Sequence, residues 1–370
     1  MEPAPLSIRA GSITALWLFD IAYAIDLAKA ESLWAAHTGS ASSRSRLSAT
    51  PAKALAFGEP PVALTLEPLS LDLDGERLTA TLSARLYDFG VVALALRLPV
   101  ADRDWPGFVD LCNALDRAAA NPAIWEAALG RVRKPLAAAL IRPTDSNLQE
   151  DYLVATVQQW SEPVAGSAVA QRVDLAPLLS GERRALSEAA RRELLRQQFS
   201  YYEDDLVVLT WDRAFIYEPR GDSDVADVLE AANAQLLELR YYDELLDDEL
   251  PRMYDLVEET RRSKRLLAPR RYANLARRLH TLVAKVTELT EKADNVLKVT
   301  EDVYLARVYG AALELLRVPS VGAAVDRKLA IIRDTYTALY DEASDARGTL
   351  LELAIVALIV VEIVLALLRR

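Results

Sequence analysis

Apolar and polar residues alternate in two neighbouring runs within the first third of the chain. In residues 69–73 and 78–82, leucine or alanine alternates with serine, aspartate or threonine, and Asp74 and Gly75 stand near the reversal between the runs. A period of two places one set of side chains on each face of a sheet, and an Asp-Gly pair is a frequent hairpin turn. The pattern therefore predicts a β-hairpin, followed by a third strand over residues 91–98.

The first 217 residues as a whole mix strand and helix patterns. The segment 13–34 is apolar, but two aspartates, a lysine and a glutamate interrupt it, so it is predicted as a strand that runs into a helix and not as a signal peptide. Further helices are predicted near residues 104–120, 123–140 and 182–198, and further strands near 152–160 and 205–217. Together these elements predict a mixed α+β domain over residues 1–217.

Long helices are predicted for the next part of the chain, residues 218–348. Between residues 222 and 318 there is one glycine, Gly310, and two prolines, Pro251 and Pro269. Apolar residues recur there in two heptad-spaced series, one on each side of Pro269. A long antiparallel helical hairpin is the simplest prediction, and a parallel coiled-coil dimer that uses the same apolar seams is the alternative.

The last apolar stretch, residues 350–368, contains 17 apolar residues among 19, with Glu352 and Glu362 as the exceptions. At the helical rise it would be about 29 Å long, close to the hydrocarbon thickness of a bilayer. It predicts a single C-terminal transmembrane anchor over residues 349–370, with a buried core helix as the alternative. The bulk of the chain is expected in the cytoplasm. An acidic group inside a bilayer normally faces protein or water, so Glu362 is predicted to make an oligomer or partner contact.

Three stretches of the chain carry a family resemblance. They are the ending 349–365 with its internal Glu362, the strand with its preceding turn at 86–92, and the helical stretch 241–246. These stretches resemble the "required for meiotic nuclear division" family, also called YagE-like. The resemblance implies a membrane-anchored protein to which no catalytic residues can be assigned; eukaryotic members are mitochondrial inner-membrane proteins that support organellar translation. An Ala- and Arg-rich chain without a transit peptide is then expected to be a bacterial member on the inner membrane.

A basic cluster without an intervening acid is predicted at the tip of the helical hairpin. It comprises Arg261, Arg262, Lys264, Arg265, Arg270, Arg271, Arg277 and Arg278. An acidic run over residues 243–259 precedes it, so charge pairing within the hairpin or between copies is one interpretation. Contact with anionic lipid head groups is the second, and contact with RNA or ribosomes is the third.

Composition limits the chemistry that the chain can perform. It contains one cysteine, Cys112, and two histidines, His37 and His280, which exclude the common zinc, haem and iron-sulfur sites built from this chain alone. The net charge of -11 disfavours DNA as a partner. The sequence patterns of dinucleotide, nucleotide, serine-hydrolase and zincin sites do not occur. We therefore predict no cofactor, no metal site and no catalytic residues.

These observations predict a non-enzymatic, membrane-anchored scaffold or tether that forms a homo-oligomer through its helical hairpin. The alternative is a membrane-bound factor that supports translation by contacting ribosomes or RNA through the basic cluster. A third possibility is an enzyme whose active site lies in the α+β domain, lined by carboxylates or by Tyr201, Tyr202 and Trp211.

Overall fold

The computed structural model describes residues 6–38, 43–44, 55–57, 59–221, 224–262, 268–294, 297–299 and 304–368. The chain forms two compact units. The first unit comprises Met1–Tyr241 and Lys292–Pro319, and the second comprises Tyr242–Glu291 and Ser320–Arg370.

The first unit contains all the described strands. They are β1 (Ser7–Asp20), β2 (Ala22–Ile25), β3 (Ser43–Arg44), β4 (Leu55–Phe57), β5 (Val62–Leu73), β6 (Glu76–Leu86), β7 (Val91–Asp104), β8 (Leu140–Pro143), β9 (Gln149–Trp160), β10 (Gln197–Phe199), β11 (Leu206–Leu209), β12 (Arg213–Tyr217) and β13 (Leu297–Val299). Nine of them form one sheet in the order β10-β11-β12-β9-β1-β7-β6-β5-β3. Strands β9 and β12 are parallel, and the other neighbours in this sheet are antiparallel. Two small sheets pair β13 with β4 and β2 with β8.

The helices alternate with these strands and then dominate the rest of the chain. They are α1 (Leu27–Thr38), α2 (Trp105–Ala119), α3 (Pro122–Leu136) with a 3-10 turn at Ala137–Ala139, α4 (Gly166–Arg172), α5 (Ala176–Ser180), α6 (Glu188–Leu194), α7 (Val225–Arg262), α8 (Ala268–Asp294), α9 (Tyr304–Leu315) and α10 (Val318–Leu368). Local chemistry sets two of the starts: Asp104 caps α2 by accepting from the Gly107 N–H, and Asn121 caps α3 by accepting from the Ala123 N–H.

The large sheet is covered on both faces. In β1, Ile13 and Ala15 belong to one apolar core, which helices α1, α2 and α3 complete. Leu16 and Leu18 belong to a second core on the other face, which α9 and the first part of α7 complete. Because successive side chains of a strand point to opposite faces, an almost continuous apolar run such as that of β1 is what a doubly covered central strand requires.

The hairpin predicted from the alternating pattern is confirmed. Strands β5 and β6 pair with Leu71 opposite Leu78. At the reversal, Asp74 and Gly75 both have positive φ values, 51° and 89°. This is the backbone that the tightest hairpin turns need, and aspartate followed by glycine adopts it at low cost. The strand predicted over 91–98 is the first part of β7, which continues to Asp104.

The fold class predicted for the C-terminal region is wrong. Among the described residues, no single helix is long and apolar enough to cross a membrane. One bent helix pair, Tyr304–Leu315 with Val318–Asp341, has the length and apolar composition of a span only when the two helices are taken together. Residues 350–368 are the end of α10, a helix that starts at Val318. Within that end, the apolar segment that the structure describes is Ile355–Leu365. A spanning helix needs roughly 20 predominantly apolar residues, and no described single helix meets this, so the transmembrane anchor predicted over residues 349–370 is wrong.

In the second unit, the spacing of buried residues along α10 shows which face packs inward. Val325, Leu329, Ile332 and Leu339 are buried, and their spacing of three, four and seven residues defines one helical stripe. Leu246 and Met253 of α7 are also buried, as are Leu275, Leu279 and Val286 of α8. This unit is therefore a helical one, stabilised by apolar seams.

Candidate interaction surface

The most exposed apolar segment that the structure describes is the end of α10. Every described residue from Ile355 to Leu365 is exposed. Leu358 is 68% exposed and Leu368 is 78% exposed. Eleven consecutive helical residues cover every face of a helix, because one turn takes only 3.6 residues. The segment therefore packs no face against the described residues of the second unit, in contrast to the Val325–Leu339 part of the same helix.

Exposed apolar surface of this extent is uncommon on a folded chain and marks a place where another molecule binds. The residues that form it are large aliphatics, among them Ile355, Val356, Leu358, Ile359, Val360, Val361, Ile363, Val364 and Leu365. Glu362 lies in the middle of this segment and is exposed too. The contact predicted for Glu362 stays a prediction, since no hydrogen bond or ion pair joins its side chain to another described residue.

The predicted basic cluster is only partly described. Arg261 and Arg262 end α7, and Arg270 and Arg271 lie in the first turn of α8, but the positions of these four side chains are not described. Lys264 and Arg265 lie outside the described residues. Arg277 and Arg278 are exposed on α8. The structure therefore supports an exposed arginine pair on α8, and the joint action of all eight basic residues stays a prediction.

The acidic run is partly engaged inside the second unit. The Lys328 ammonium of α10 lies 2.7 Å from an Asp243 carboxylate oxygen and 2.6 Å from an Asp247 carboxylate oxygen. It also donates to the Asp243 carbonyl at 3.0 Å. Burial lowers the pKa of Lys328, but its hydrogen bonds to Asp243 and Asp247 outweigh this and raise the pKa above its ordinary value. These two acids pair with α10, a contact that heptad spacing alone did not indicate.

A buried ionic network lies in the first unit, between the sheet and α7. The Arg85 guanidinium donates to Asp227 at 2.9 Å and lies 3.2 Å from a Glu230 carboxylate oxygen. The Tyr87 hydroxyl donates to Glu230 at 2.9 Å. Burial raises the pKa of Glu230, and the nearby Arg85 charge opposes that effect. Removing one partner of such a network leaves buried charge uncompensated, so this network fixes the position of α7 on the sheet.

The structure does not bring together the aromatic residues considered for an active site. The Tyr201 and Tyr202 rings meet edge to face, 4.8 Å apart, in the loop before β11. Trp211 lies in the turn after β11 and is 70% exposed. The two positions are thus separated by the length of that strand. Within the described ranges, no group of three or more histidine, cysteine, aspartate or glutamate residues could hold a metal ion.

Comparisons with known proteins place the first part of the chain in a family. The model of the family described as "Uncharacterized protein MJ0711, N-terminal domain" matches residues 10–224. The curated "Uncharacterized protein MJ0711" of Methanocaldococcus jannaschii is 27% identical over 219 residues, which is 59% of this chain and 66% of that protein. The chain thus spans slightly less than two thirds of this relative. No solved structure matches the chain.

These matches correct the resemblance drawn from the three short stretches. The matched relative is archaeal, and none of the findings points to the "required for meiotic nuclear division" family or to a bacterial membrane protein. The earlier assignment is wrong because an apolar helix end with an internal glutamate and a short aromatic-glycine turn are features that unrelated proteins share. The family match ends at residue 224, immediately before α7.

Proposed function

We propose, from the premise that this chain belongs to the family of the MJ0711 N-terminal domain, that it acts as a non-enzymatic scaffold which self-associates through the end of α10. The observation that carries the proposal is the exposure of every described residue from Ile355 to Leu365. This segment lies outside the family match at residues 10–224, so self-association would be an addition to the family domain.

The energetic case rests on apolar burial. Fully burying one leucine, isoleucine or valine side chain contributes roughly 1.5 to 3 kcal/mol. Association costs on the order of 4 to 15 kcal/mol in lost freedom of motion. Nine large aliphatics in one segment, each about half exposed or more, are enough to offset that cost. Segment 355–365 therefore has the capacity to drive association by itself.

A second copy of the chain is the partner that this segment fits best. Because exposed apolar residues, with Glu362 as the one exception, surround this helical segment, a groove on one partner would cover only part of it, whereas a bundle of identical helices covers several faces at once. Parallel copies in register place apolar residues opposite apolar residues along about 16 Å of helix. They also place Glu362 of each copy at the same level, where one polar position can fix the register of a bundle at some cost in stability.

The test is the mass of the full-length chain in solution, measured by sedimentation velocity without detergent. We expect an oligomer for the natural sequence and a monomer for the double variant Leu358→Glu with Leu365→Glu. The matched control is the double variant Ile331→Glu with Tyr340→Glu, which places the same two charges at other exposed apolar positions of α10 and should leave the oligomer intact.

A monomer for the natural sequence at micromolar concentration would overturn the proposal, and so would an oligomer that survives the double variant. Flotation of monomers with lipid vesicles would likewise contradict it. Co-purification of ribosomal RNA that depends on the exposed Arg277 and Arg278 would favour the translation-linked alternative instead.

A further inference from the structure

One charged residue interrupts the exposed apolar segment 355–365 of α10. Glu362 is the only charged residue in this segment, and the nearest charge before it is Glu352. The next charged residues after it, Arg369 and Arg370, lie outside the described residues. No hydrogen bond or ion pair joins the Glu362 side chain to another described residue. Water therefore solvates its charge in the single chain, and any contact that buries the segment has to accommodate that charge.

The helix places the residues of this segment on two opposite seams. At about 100° per residue, positions three, four and seven apart lie on the same side of a helix. The first seam contains Glu362 and three large aliphatics, Ile355, Leu358 and Leu365. The second seam, on the opposite side, consists of Ala357, Val360 and Val364. All of these residues are exposed, so either seam is accessible to a second copy of the chain.

The first seam offers more apolar surface than the second. Isoleucine and leucine each carry one methylene more than valine, and alanine is smaller still. Each buried methylene strengthens association by roughly fourfold for each chain that buries it. Isoleucine and leucine are also the usual core residues of helix bundles, where a single polar residue at one core position is tolerated. The assembly is therefore expected to turn the first seam, with Glu362, toward the neighbouring copies.

This arrangement brings the Glu362 carboxylates of parallel copies close to one another. Ionised carboxylates in an apolar contact repel each other, and each of them loses its hydration. A carboxyl group that takes up a proton loses its charge and donates a hydrogen bond to the carboxylate of the neighbouring copy. The assembled chains consequently bind protons that the separate chains release.

We propose that self-association of this chain is coupled to proton uptake at Glu362, so that a fall in pH favours the assembled form. The inference rests on the proposed function, because it concerns the same segment of α10. By linkage, the association constant rises as the pH falls wherever the assembly binds more protons than the separate chains do. One proton taken up per association step strengthens the step by about tenfold between about pH 8 and about pH 6.

Sedimentation velocity of the full-length chain at these two pH values, at constant salt and without detergent, tests the proposal. We expect the natural chain to associate about tenfold more tightly at the lower pH. Glu362→Gln keeps the shape of the side chain but removes the titration, so this variant should associate equally at both pH values. The matched control is Glu352→Gln, which removes one exposed acid of α10 outside the segment and should keep the pH dependence of the natural chain.

The Glu362→Gln variant also separates this effect from other groups that titrate in the same range. It retains His37 and His280, so a pH dependence that arises from either histidine would persist in it and would overturn the proposal. Equal association of the natural chain at the two pH values would overturn the proton coupling but leave self-association intact. Monomers at both pH values, for the natural chain and for Glu362→Gln, would overturn self-association and the coupling together.

Discussion

Apolar side chains are buried in the large sheet but exposed at the end of α10. In β1, Ile13, Ala15, Leu16 and Leu18 are all less than 5% exposed, because helices cover both faces of the sheet. At the end of α10, Leu358 is 68% exposed, although its sequence surroundings are at least as apolar. The first region satisfies its apolar surface within one chain. The second leaves its apolar surface exposed, and this exposed surface makes it a candidate for binding another molecule.

The polar groups of the two units differ in the same way, because the ion pairs of the first unit are more deeply buried than those of the second. In the first unit Arg85 and Glu230 are largely buried and pair with each other, and Arg85 also pairs with Asp227. In the second unit the ion pairs of Lys328 reach Asp247, a carboxylate that is 62% exposed. Buried pairs hold an element in one position because breaking them is costly, whereas exposed pairs contribute little. The comparison therefore predicts large effects of substitutions in the first unit and small effects in the second.

The largest contrast is between Phe108→Ala and Leu358→Ala. Phe108 is fully buried under the sheet, so its truncation leaves a cavity, and we expect the free energy of unfolding to fall by about 3 to 5 kcal/mol. Leu358→Ala leaves no cavity in its own chain and should have no effect on the first unit. All six tryptophans lie within residues 1–241, so tryptophan fluorescence during urea unfolding follows the first unit. An equal loss of unfolding free energy in the two variants would contradict the difference between the buried sheet and the exposed end of α10.

The short-range part of the fold follows from the sequence because local chemistry determines it. The hairpin of β5 and β6 is readable from alternation and from Asp74 and Gly75, which lie next to each other in the chain. The order of the nine strands is not readable in this way. The central strand β1 pairs with β7 and with β9, so that Ile13 lies opposite both Leu98 and Ala155. The alternation of apolar and polar residues predicts which face of the sheet a residue lies on, but it does not predict which distant strand that residue pairs with.

The helical region shows a second limit. In the first part of α7, apolar residues are buried at Val225, Val228, Leu229, Ala231, Ala232, Ala234 and Leu237. They cover more of the helix than the heptad seam predicted from the sequence, because this part of α7 packs in the core beneath the sheet. Glu230 is buried there too, although glutamate is a residue type that normally lies at a solvated position. Its burial depends on the pairing with Arg85, which lies 145 positions earlier in the chain. The residues next to Glu230 in the sequence do not indicate this pairing.

The apolar surface and the polar contacts of α10 were predicted unequally well from the sequence. The apolar end of α10 is evident in the sequence, although its length led to the wrong prediction of a membrane span. The contact of Lys328 with Asp243 and Asp247 was missed, because α10 and the acidic run lie far apart in the chain. No local pattern of apolar and polar residues indicates which distant helix a lysine meets.

An intermediate effect is expected at Asp20, a buried carboxyl at the end of β1. Burial raises its pKa from 3.8 to about 7, although hydrogen bonds from the Thr144 hydroxyl and the Ala22 N–H oppose the shift. Tyr241 faces the same region, and burial, then Asp20, raises the pKa of Tyr241 to about 12. The folded chain therefore binds the Asp20 proton more tightly than the unfolded chain does. Stability should fall as the pH rises from about 4 to about 7, and this contribution should be constant above that.

Asp20→Asn should remove this contribution. A pKa change of this size corresponds to about 4 kcal/mol, and relaxation around the charge reduces it, so we expect a gain on the order of 2 kcal/mol at pH 8 and little change at pH 4. Urea unfolding at the two pH values measures the difference. Asp110→Asn, at an exposed position on α2, is the control and should keep the pH dependence of the natural chain. A variant less stable than the natural chain at pH 8 would contradict the assignment.

The smallest effect is expected at Lys328, the polar contact that holds α10 inside the second unit. Lys328→Met removes the bonds to Asp243 and Asp247 but keeps the aliphatic body of the side chain. Both acids are already partly in water, so the loss should be about 1 kcal/mol. Hydrogen exchange of the α10 amides near residue 328 should then be about fivefold faster. Arg333→Met, at an exposed position of the same helix, should leave the exchange unchanged. A loss of about 3 to 5 kcal/mol, the size expected for breaking a buried pair such as Arg85 with Glu230, would mean that polar contacts hold both units equally, and the contrast between them would then rest on apolar burial alone.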